Sequence, residues 1–267
     1  MMKKGLVFSA PPFTDLWQDK DPFAEVDHLY GDVVRQMNGR RTMRFEADGR
    51  GFYLKSHKGI GWKEYFKNVL QFKRPAVGAR DEYTAIRKLE ELGVPTMTPA
   101  AFGERGLLPP LRESFLITEE LTGVISLEEL CRDWKELPPA PREKHKLIEQ
   151  LAWTLSMMHS CGMNHRDCYI CHFLLKKEEF PALYVIDLHR AQIREKVPMH
   201  YLLKDLGGIW FSAMDANLSK RDVLRFLKAY TNEGLHNLDR RFWKRVDAVA
   251  RKLYFKEFGK ESPAVKL

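Results

Sequence analysis

No stretch constrains the chain as much as the run from Leu155 to Leu175. It reads as the end of a helix, a turn at Gly162, a polar loop holding His165, Arg166 and Asp167, and then a short apolar strand. Twenty residues after Asp167 a second carboxylate, Asp187, closes the apolar run Leu183-Tyr184-Val185-Ile186. One carboxylate in a loop before a short strand, and another at the end of the next strand, can serve as a proton acceptor beside a ligand for a hard cation.

With 267 residues, 44% of them hydrophobic and 30% charged, the chain has the make-up of a folded protein and the length for one domain of two lobes or for two small domains. That balance excludes disorder. The sequence has no run of about 18 apolar residues, the minimum for a membrane-spanning helix. Met1 to Pro12 carry a basic flank but too few apolar residues for an export signal, so a cytoplasmic N-terminus is expected. Reduced thiols follow for Cys131, Cys161, Cys168 and Cys171. Cys168 and Cys171 have a zinc-like spacing, with Cys161, His165 and His172 nearby, but the second ligand pair of a structural zinc site is missing and packed thiols suit the apolar surroundings.

The net charge of +8 is uneven: from Lys220 to Leu267 there are 13 Lys or Arg against 6 Asp or Glu, a surplus of seven. Such a region suits a polyanionic partner, whether nucleic acid, anionic lipid or an acidic protein; it also suits a plain solvated helical face.

Residues 1–29, with Pro11, Pro12 and Pro22, are expected to be irregular. Three strands follow: a hairpin around Asn38-Gly39, a second turn at Asp48-Gly49, and a last strand, Phe52 to Lys55, that ends on a lysine. Between 60 and 74, Trp62, Tyr65, Phe66, Val69, Leu70 and Phe72 recur at helical spacing among lysines. That segment fits a helix lying in a membrane surface, and equally a helix packed on the protein with its lysines in water. A helix then runs from Ala79 to Leu92 and stops at Gly93, with Asp81 and Glu82 early in it. Residues 114–121 form an apolar strand ending in Glu119, Glu120 and Leu121. Ser126 with Glu128 and Glu129 starts a helix, Lys144 to Cys161 is a long amphipathic one, and Ile170 to Leu175 is a core strand. Asp205 lies early in a later helix. From Ser219 the chain is helical and basic, and most of Phe226, Tyr230, Phe242, Trp243, Tyr254, Phe255 and Phe258 are expected in the core.

Hairpin, strand lysine, helix glutamate, loop aspartate and strand-end aspartate occur in the order of protein-kinase-like phosphotransferases. The fold class expected is α+β, with a small β-rich N-lobe over 1–120 and a mainly helical C-lobe over 121–267. The expected cofactors are ATP and Mg²⁺. Gly39 and Arg41, with Arg40, would meet phosphate; Lys55 would neutralise the α- and β-phosphates; Glu82 would fix Lys55; Glu119, Glu120 and Leu121 would offer backbone groups to adenine. Asp167 is the candidate catalytic base, Asp187 the metal ligand, and Asp205 a support for the loop backbone. His172 stands where a protein kinase has the asparagine for a second Mg²⁺. Imidazole is a poor partner for a hard cation, so His172 is read either as metal-proximal or as structural.

Three segments carry a closer likeness. Gly61-Trp62-Lys63-Glu64-Tyr65-Phe66-Lys67, Asn164 to Phe173 and Val185 to Ala191 resemble the lipopolysaccharide core heptose kinases of Gram-negative bacteria, the WaaP or RfaP family. Cys168-Tyr169-Ile170-Cys171-His172, odd for a protein kinase, looks like that family's own signature. The resemblance implies ATP-dependent phosphorylation of heptose I in the inner core, on a lipid-linked acceptor at the cytoplasmic face of the inner membrane, by a peripheral protein. Nascent lipopolysaccharide, built of lipid A, Kdo and heptose, is polyanionic, so residues 60–74 and the C-terminal region would hold it at the anionic membrane surface. An acidic protein is a further expected partner; nucleic acid is not. The alternatives are a protein kinase, including a tyrosine kinase, acting from the same site, and a weak kinase-like scaffold. Only eighteen residues separate Asp187 from Asp205, which leaves little room for the activation and peptide-binding segments of a protein kinase.

Overall fold

The computed structural model describes residues 5–37, 39–59, 61–62, 78–232 and 239–267. The chain divides into two compact units, one made of residues up to Arg87 with Met97–Leu121, the other of Lys88–Thr96 with Thr122–Leu267.

Turn chemistry lays out the sheet of the first unit. Gly39 (φ 73°) lies in the two-residue connection between β2 (Asp32–Met37) and β3 (Arg40–Ala47). Asp48 and Gly49 (φ 49° and 68°) connect β3 to β4 (Arg50–Lys58). Consecutive positive φ values are the turn geometry that matches strand twist. With β1 (Leu6–Ser9), β5 (Pro99–Arg105) and β6 (Glu113–Glu119), these strands form a six-stranded antiparallel sheet in the order β1-β5-β6-β4-β3-β2. Side chains alternate across a strand, so β4 turns Phe52 and Leu54 to one face and Tyr53 and Lys55 to the other.

The face holding Met43, Phe45, Phe52, Leu54, Phe115 and Ile117 is covered by Phe13, Trp17, Phe23 and Val26 from α1 (Phe13–Leu16), α2 (Pro22–Asp27) and the residue between. The Phe13 ring meets Phe52 at 5.0 Å and Phe23 meets Phe115 at 5.0 Å, both edge to face. Residues 6–27 are therefore largely regular, where the prolines argued for an irregular segment. Those prolines start helices: Pro12 precedes α1, and Pro22 opens α2 behind an Asp21 cap that accepts from Phe23 N–H. Helices of four and six residues are too short to leave a periodic signal. Phe13→Ala removes a ring that is 1% exposed and is expected to cost about 3–5 kcal/mol of stability, measurable by urea unfolding. A cost within the range of surface substitutions would mean that the N-terminal segment is not part of this core.

α3 (Arg80–Glu91) links the two units in sequence and ends before Gly93 (φ 67°). The basic aromatic helix expected over 60–74 lies outside the described residues apart from Gly61 and Trp62, the latter exposed.

In the second unit, Ser126 caps α4 (Leu127–Cys131) in a reciprocal box with Glu129. α5 (Pro141–Ser160) starts three residues before the expected Lys144, with proline in its first turn. Gly162 (φ 81°) ends it where a Cβ would lie 1.7 Å from the Arg194 carbonyl oxygen, so the turn into the polar loop requires glycine. β8 (Met163–Asn164) pairs with β11 (Gln192–Ile193), while β9 (Phe173–Lys176) runs between β7 (Val124–Ser126) and β10 (Leu183–Val185). The strand expected over 170–175 begins only at Phe173, because Ile170–His172 closes a 3₁₀ turn.

Three further helices, α6 (Met199–Ala213), α7 (Lys220–Thr231) and α8 (Arg240–Phe258), follow. Trp243 and Tyr254 are buried as expected, but Phe255 is exposed, lying off the stripe formed by Val246, Ala250 and Tyr254, and Phe258 is exposed at the last residue of the helix, against the Tyr254 ring. A sheet-built first unit and a mainly helical second one give the α+β class expected. Among the described residues, no helix is long and apolar enough to cross a membrane.

Candidate active site

In the first unit, β4 delivers Lys55 opposite Thr42 and Leu116, on the face away from the Phe52 and Leu54 core. Its Nζ donates to Glu82 Oε1 at 2.7 Å from the start of α3, where Glu82 is 1% exposed. A carboxylate so deeply buried needs its cation, since an unpaired buried charge is strongly destabilising. The pair thus fixes the lysine's position.

Arg41 does not join Lys55. Residues directly opposite on paired strands share a face, and Arg41 lies opposite Ser56, on the Leu54 side; its Nη2 donates to Val26 O at 3.0 Å. Of the two turn arginines it is Arg40, opposite His57, that lies on the Lys55 face. Glu119 N–H donates to Thr98 O at 2.9 Å and Glu120 N–H to Gly51 O at 2.9 Å, so those two amides serve the sheet. The Glu120 carboxylate accepts from Arg44 Nε and Nη2 at 2.8 Å each and holds that guanidinium above its ordinary pKa, while Glu119 pairs with Arg50.

The polar loop of the second unit is pinned from beneath. Asp205, fully buried on α6, accepts from His165 N–H at 2.6 Å and Arg166 N–H at 2.8 Å. Arg166 takes φ 75° and Asp187 φ 59°, each costing about 1–3 kcal/mol for a side-chain-bearing residue. Such strain survives only where the surroundings impose it, and here both residues lie next to groups held by hydrogen bonds. Arg190 Nη1 donates to Asp167 Oδ1 at 2.7 Å and Oδ2 at 2.9 Å, and Lys204 Nζ is 3.6 Å from Oδ1. His172 Nδ1 donates to Asp167 O at 2.7 Å, which in the neutral ring leaves the Nε2 lone pair 3.7 Å from Asp187 Oδ2. His189 Nδ1 lies 2.7 Å from Asp187 Oδ1.

Behind this group, the His165 ring is completely buried, hydrogen-bonded through Nε2 to Ile186 O at 3.0 Å and stacked parallel to His172 at 5.5 Å. Burial pushes its pKa below 6.5, outweighing the pull of Asp205. A histidine whose folded pKa is depressed contributes stability in full above its unfolded pKa, and that stability is lost as pH falls toward the folded value. His165 is therefore expected to remain unprotonated as pH drops below about 6.5 while stability declines; ¹⁵N chemical shifts of the ring and thermal unfolding between pH 7 and 5 check this. A ring that protonates at 6.5 or above would contradict it.

Burial also raises the thiols, Cys131 to about 12, Cys171 to about 11, and Cys168 well upward. Zinc needs thiolates, so this environment opposes the zinc reading of Cys168 and Cys171. A nucleotide-borne Mg²⁺ asks less, one or two carboxylate oxygens with water and phosphates completing the shell. Partly exposed Asp187, with His172 Nε2 beside it, fits that demand.

Arg190, Lys204 and His189, which bear on the two central aspartates, are not among the site residues that the sequence points to. Arg190 and Asp167 are 23 residues apart, a separation that carries no periodic signal. The only hint was basic His189-Arg190 directly after Asp187.

Residues 24–230 match the family model described as the lipopolysaccharide kinase (Kdo/WaaP) family. The lipopolysaccharide core heptose(I) kinase WaaP of Pseudomonas aeruginosa is 50% identical over 232 residues, covering 85% of this chain and 87% of that one. WaaP of Escherichia coli K12 is 50% identical over 224 residues, 82% and 84% of the two chains. A solved structure of WaaP in complex with acyl carrier protein superposes with a TM-score of 0.81 at 44% identity, covering 93% of this chain and 99% of that one.

Proposed function

The chain belongs to the lipopolysaccharide kinase (Kdo/WaaP) family, and from that premise we propose that it transfers the γ-phosphoryl group of ATP to a hydroxyl of heptose I in the lipopolysaccharide inner core. The observation that carries the reading is the presence, in a chain 50% identical to heptose(I) kinases, of a carboxylate-clamped Lys55 and a braced loop Asp167. Nucleotide handling is assigned to residues 1–120, metal and acceptor handling to 121–267.

Lys55, fixed by Glu82, presents a positive charge to the α- and β-phosphates of ATP. Gly39 keeps the β2–β3 turn slim enough for backbone to approach phosphate. Because the Glu119 and Glu120 N–H groups serve the sheet, the adenine contacts fall to the Leu121 backbone and the Glu120 carbonyl. Mg²⁺, when bound, neutralises charge on the transferring phosphoryl group. Asp187 is its carboxylate ligand, and His172, its tautomer fixed by the Asp167 carbonyl, is the neighbouring donor. Asp167 aligns the sugar hydroxyl and accepts its proton. Arg41 has no part in this scheme.

The acceptor is a membrane-anchored polyanion, so we assign the protein to the cytoplasmic face of the inner membrane. Exposed Lys244, Arg245, Lys252 and Lys256 on α8 suit anionic lipid. The WaaP structure contains acyl carrier protein, and an acidic protein on the same basic region is the corresponding proposal here.

Incubation with γ-labelled ATP and Mg²⁺, offering lipid-linked core acceptor or a generic protein, tests the reading. Label is expected on the heptose. Label on protein alone, or on neither, would overturn it.

A further inference from the structure

Asp167 stands among more positive charge than a lone base needs. Arg190 straddles both its oxygens with Nη1 at 2.7 and 2.9 Å, and Lys204 approaches Oδ1 at 3.6 Å. Among the described residues nothing takes Nη2 or Nε of Arg190, whose side chain is 40% exposed. Arg166 lies close by in the same loop, its guanidinium over the Tyr201 ring at 5.7 Å and its buried Nε without a hydrogen-bond partner. Asp205, the carboxylate on α6 that holds the loop, is committed to two backbone amides. Two cations thus share one half-buried carboxylate, with a third close by. Burial, followed by the like charges of Arg190 and Arg166, pulls the Lys204 pKa down against Asp167, as happens where a cation group is short of anions.

We propose that Arg190 and Lys204 form an anion-binding subsite for a carboxylate or phosphate substituent of the acceptor, and that Asp167 holds this place while the acceptor is absent. The proposal rests on the heptose kinase reading and deepens it. An arriving anion takes the free edge of the Arg190 fork and shares the charge now spent on Asp167. The acceptor's own anion then sets its hydroxyl against the base and loosens the base from its clamp. Arg190 is in this sense a positioning residue. Arginine suits the task because its planar fork offers separate edges to two oxyanions, a geometry that the compact ammonium of lysine matches only in part. The phosphates of ATP are already assigned to Lys55 and to the ion at Asp187, so the subsite belongs to the acceptor.

The two sources of anion, sugar-acid carboxylate and lipid phosphate, are separated by chemistry on the acceptor. Steady-state kinetics would compare the intact acceptor, its carboxyl-methylated form and its dephosphorylated form, for wild type, Arg190→Gln, Arg190→Lys and Lys204→Gln, each confirmed folded by thermal unfolding. Arg190→Gln is expected to raise the acceptor KM about 10- to 100-fold, the scale of one charge-assisted hydrogen bond, with the ATP KM unchanged. Neutralising the anion that the subsite reads should weaken wild type by a similar factor and add little in Arg190→Gln, the non-additivity of two partners in one contact. Arg190→Lys should recover part of the loss, and Lys204→Gln should show the same split should Arg190→Gln fold poorly. The subsite is refuted if the effects of variant and acceptor modification multiply independently for both modifications, or if the ATP KM rises in place of the acceptor KM. It is equally refuted if Arg190→Lys is as impaired as Arg190→Gln, which would leave Arg190 as a prop for the loop. A wild-type protein that fails to phosphorylate even the intact acceptor would strike the underlying heptose kinase reading instead.

Discussion

Asp167→Ala is expected to lower the phosphotransfer rate to the sugar acceptor by about 10²–10⁴-fold, the range for removing a positioned general base, with the ATP KM little changed. Asp167 sits in a loop whose backbone is held at two successive amides by buried Asp205, and its own carbonyl accepts from His172. These bonds do not involve the Asp167 side chain, so the loop should keep its course in the variant. Some adjustment of Arg190 and Lys204 is expected, since both lose their shared carboxylate. Near-UV circular dichroism and thermal unfolding would separate that adjustment from loss of fold. A folded Asp167→Ala protein with wild-type turnover would remove Asp167 from the chemistry.

Lys55→Met should produce two losses together. The first is kinetic: kcat/KM for ATP falls about 10²–10³-fold, the scale found when one preorganised electrostatic donor is removed from a reaction site. The second concerns the fold, because the Glu82 side chain is 2% exposed and would be left buried without its cation, a change that typically costs about 3–5 kcal/mol. Glu82→Gln separates them. It removes the buried charge and leaves Lys55 in place but unclamped, so stability should be nearer wild type while ATP kinetics still worsen. Urea unfolding of the three proteins beside ATP titrations reads both quantities. Undisturbed ATP kinetics in Lys55→Met would sever the lysine from the nucleotide.

Different parts of the molecule announced themselves to different degrees in the sequence, for physical reasons. The β2–β3–β4 meander was legible because its turns need positive φ and display Asn38-Gly39 and Asp48-Gly49 openly. α3 and α5 were legible because each runs long enough to show its period and its stop. The N-terminal core elements were hidden: Phe13, Trp17 and Phe23 pack on the sheet from two helices of one or two turns and the residue that ends the first, and only tertiary contact reveals that aromatic residues among prolines are interior. Strand alternation could have warned against Arg41, which is one residue out of step with Thr42 opposite Lys55, but that register depends on the turn length as well as on composition. Around the aspartates, the sequence displays acids in motif order, whereas Arg190, Lys204 and His189 arrive through loop geometry. Ion pairs formed across irregular backbone leave no spacing rule to read.

The most direct measurement is a crystal structure with Mg²⁺ and a non-hydrolysable ATP analogue. A carboxylate oxygen of Asp187 should lie about 2.0–2.1 Å from the ion, and Lys55 Nζ within hydrogen-bonding distance of the α- or β-phosphate while still paired with Glu82. A bound nucleotide that touches neither Lys55 nor, through its ion, Asp187 would contradict the account.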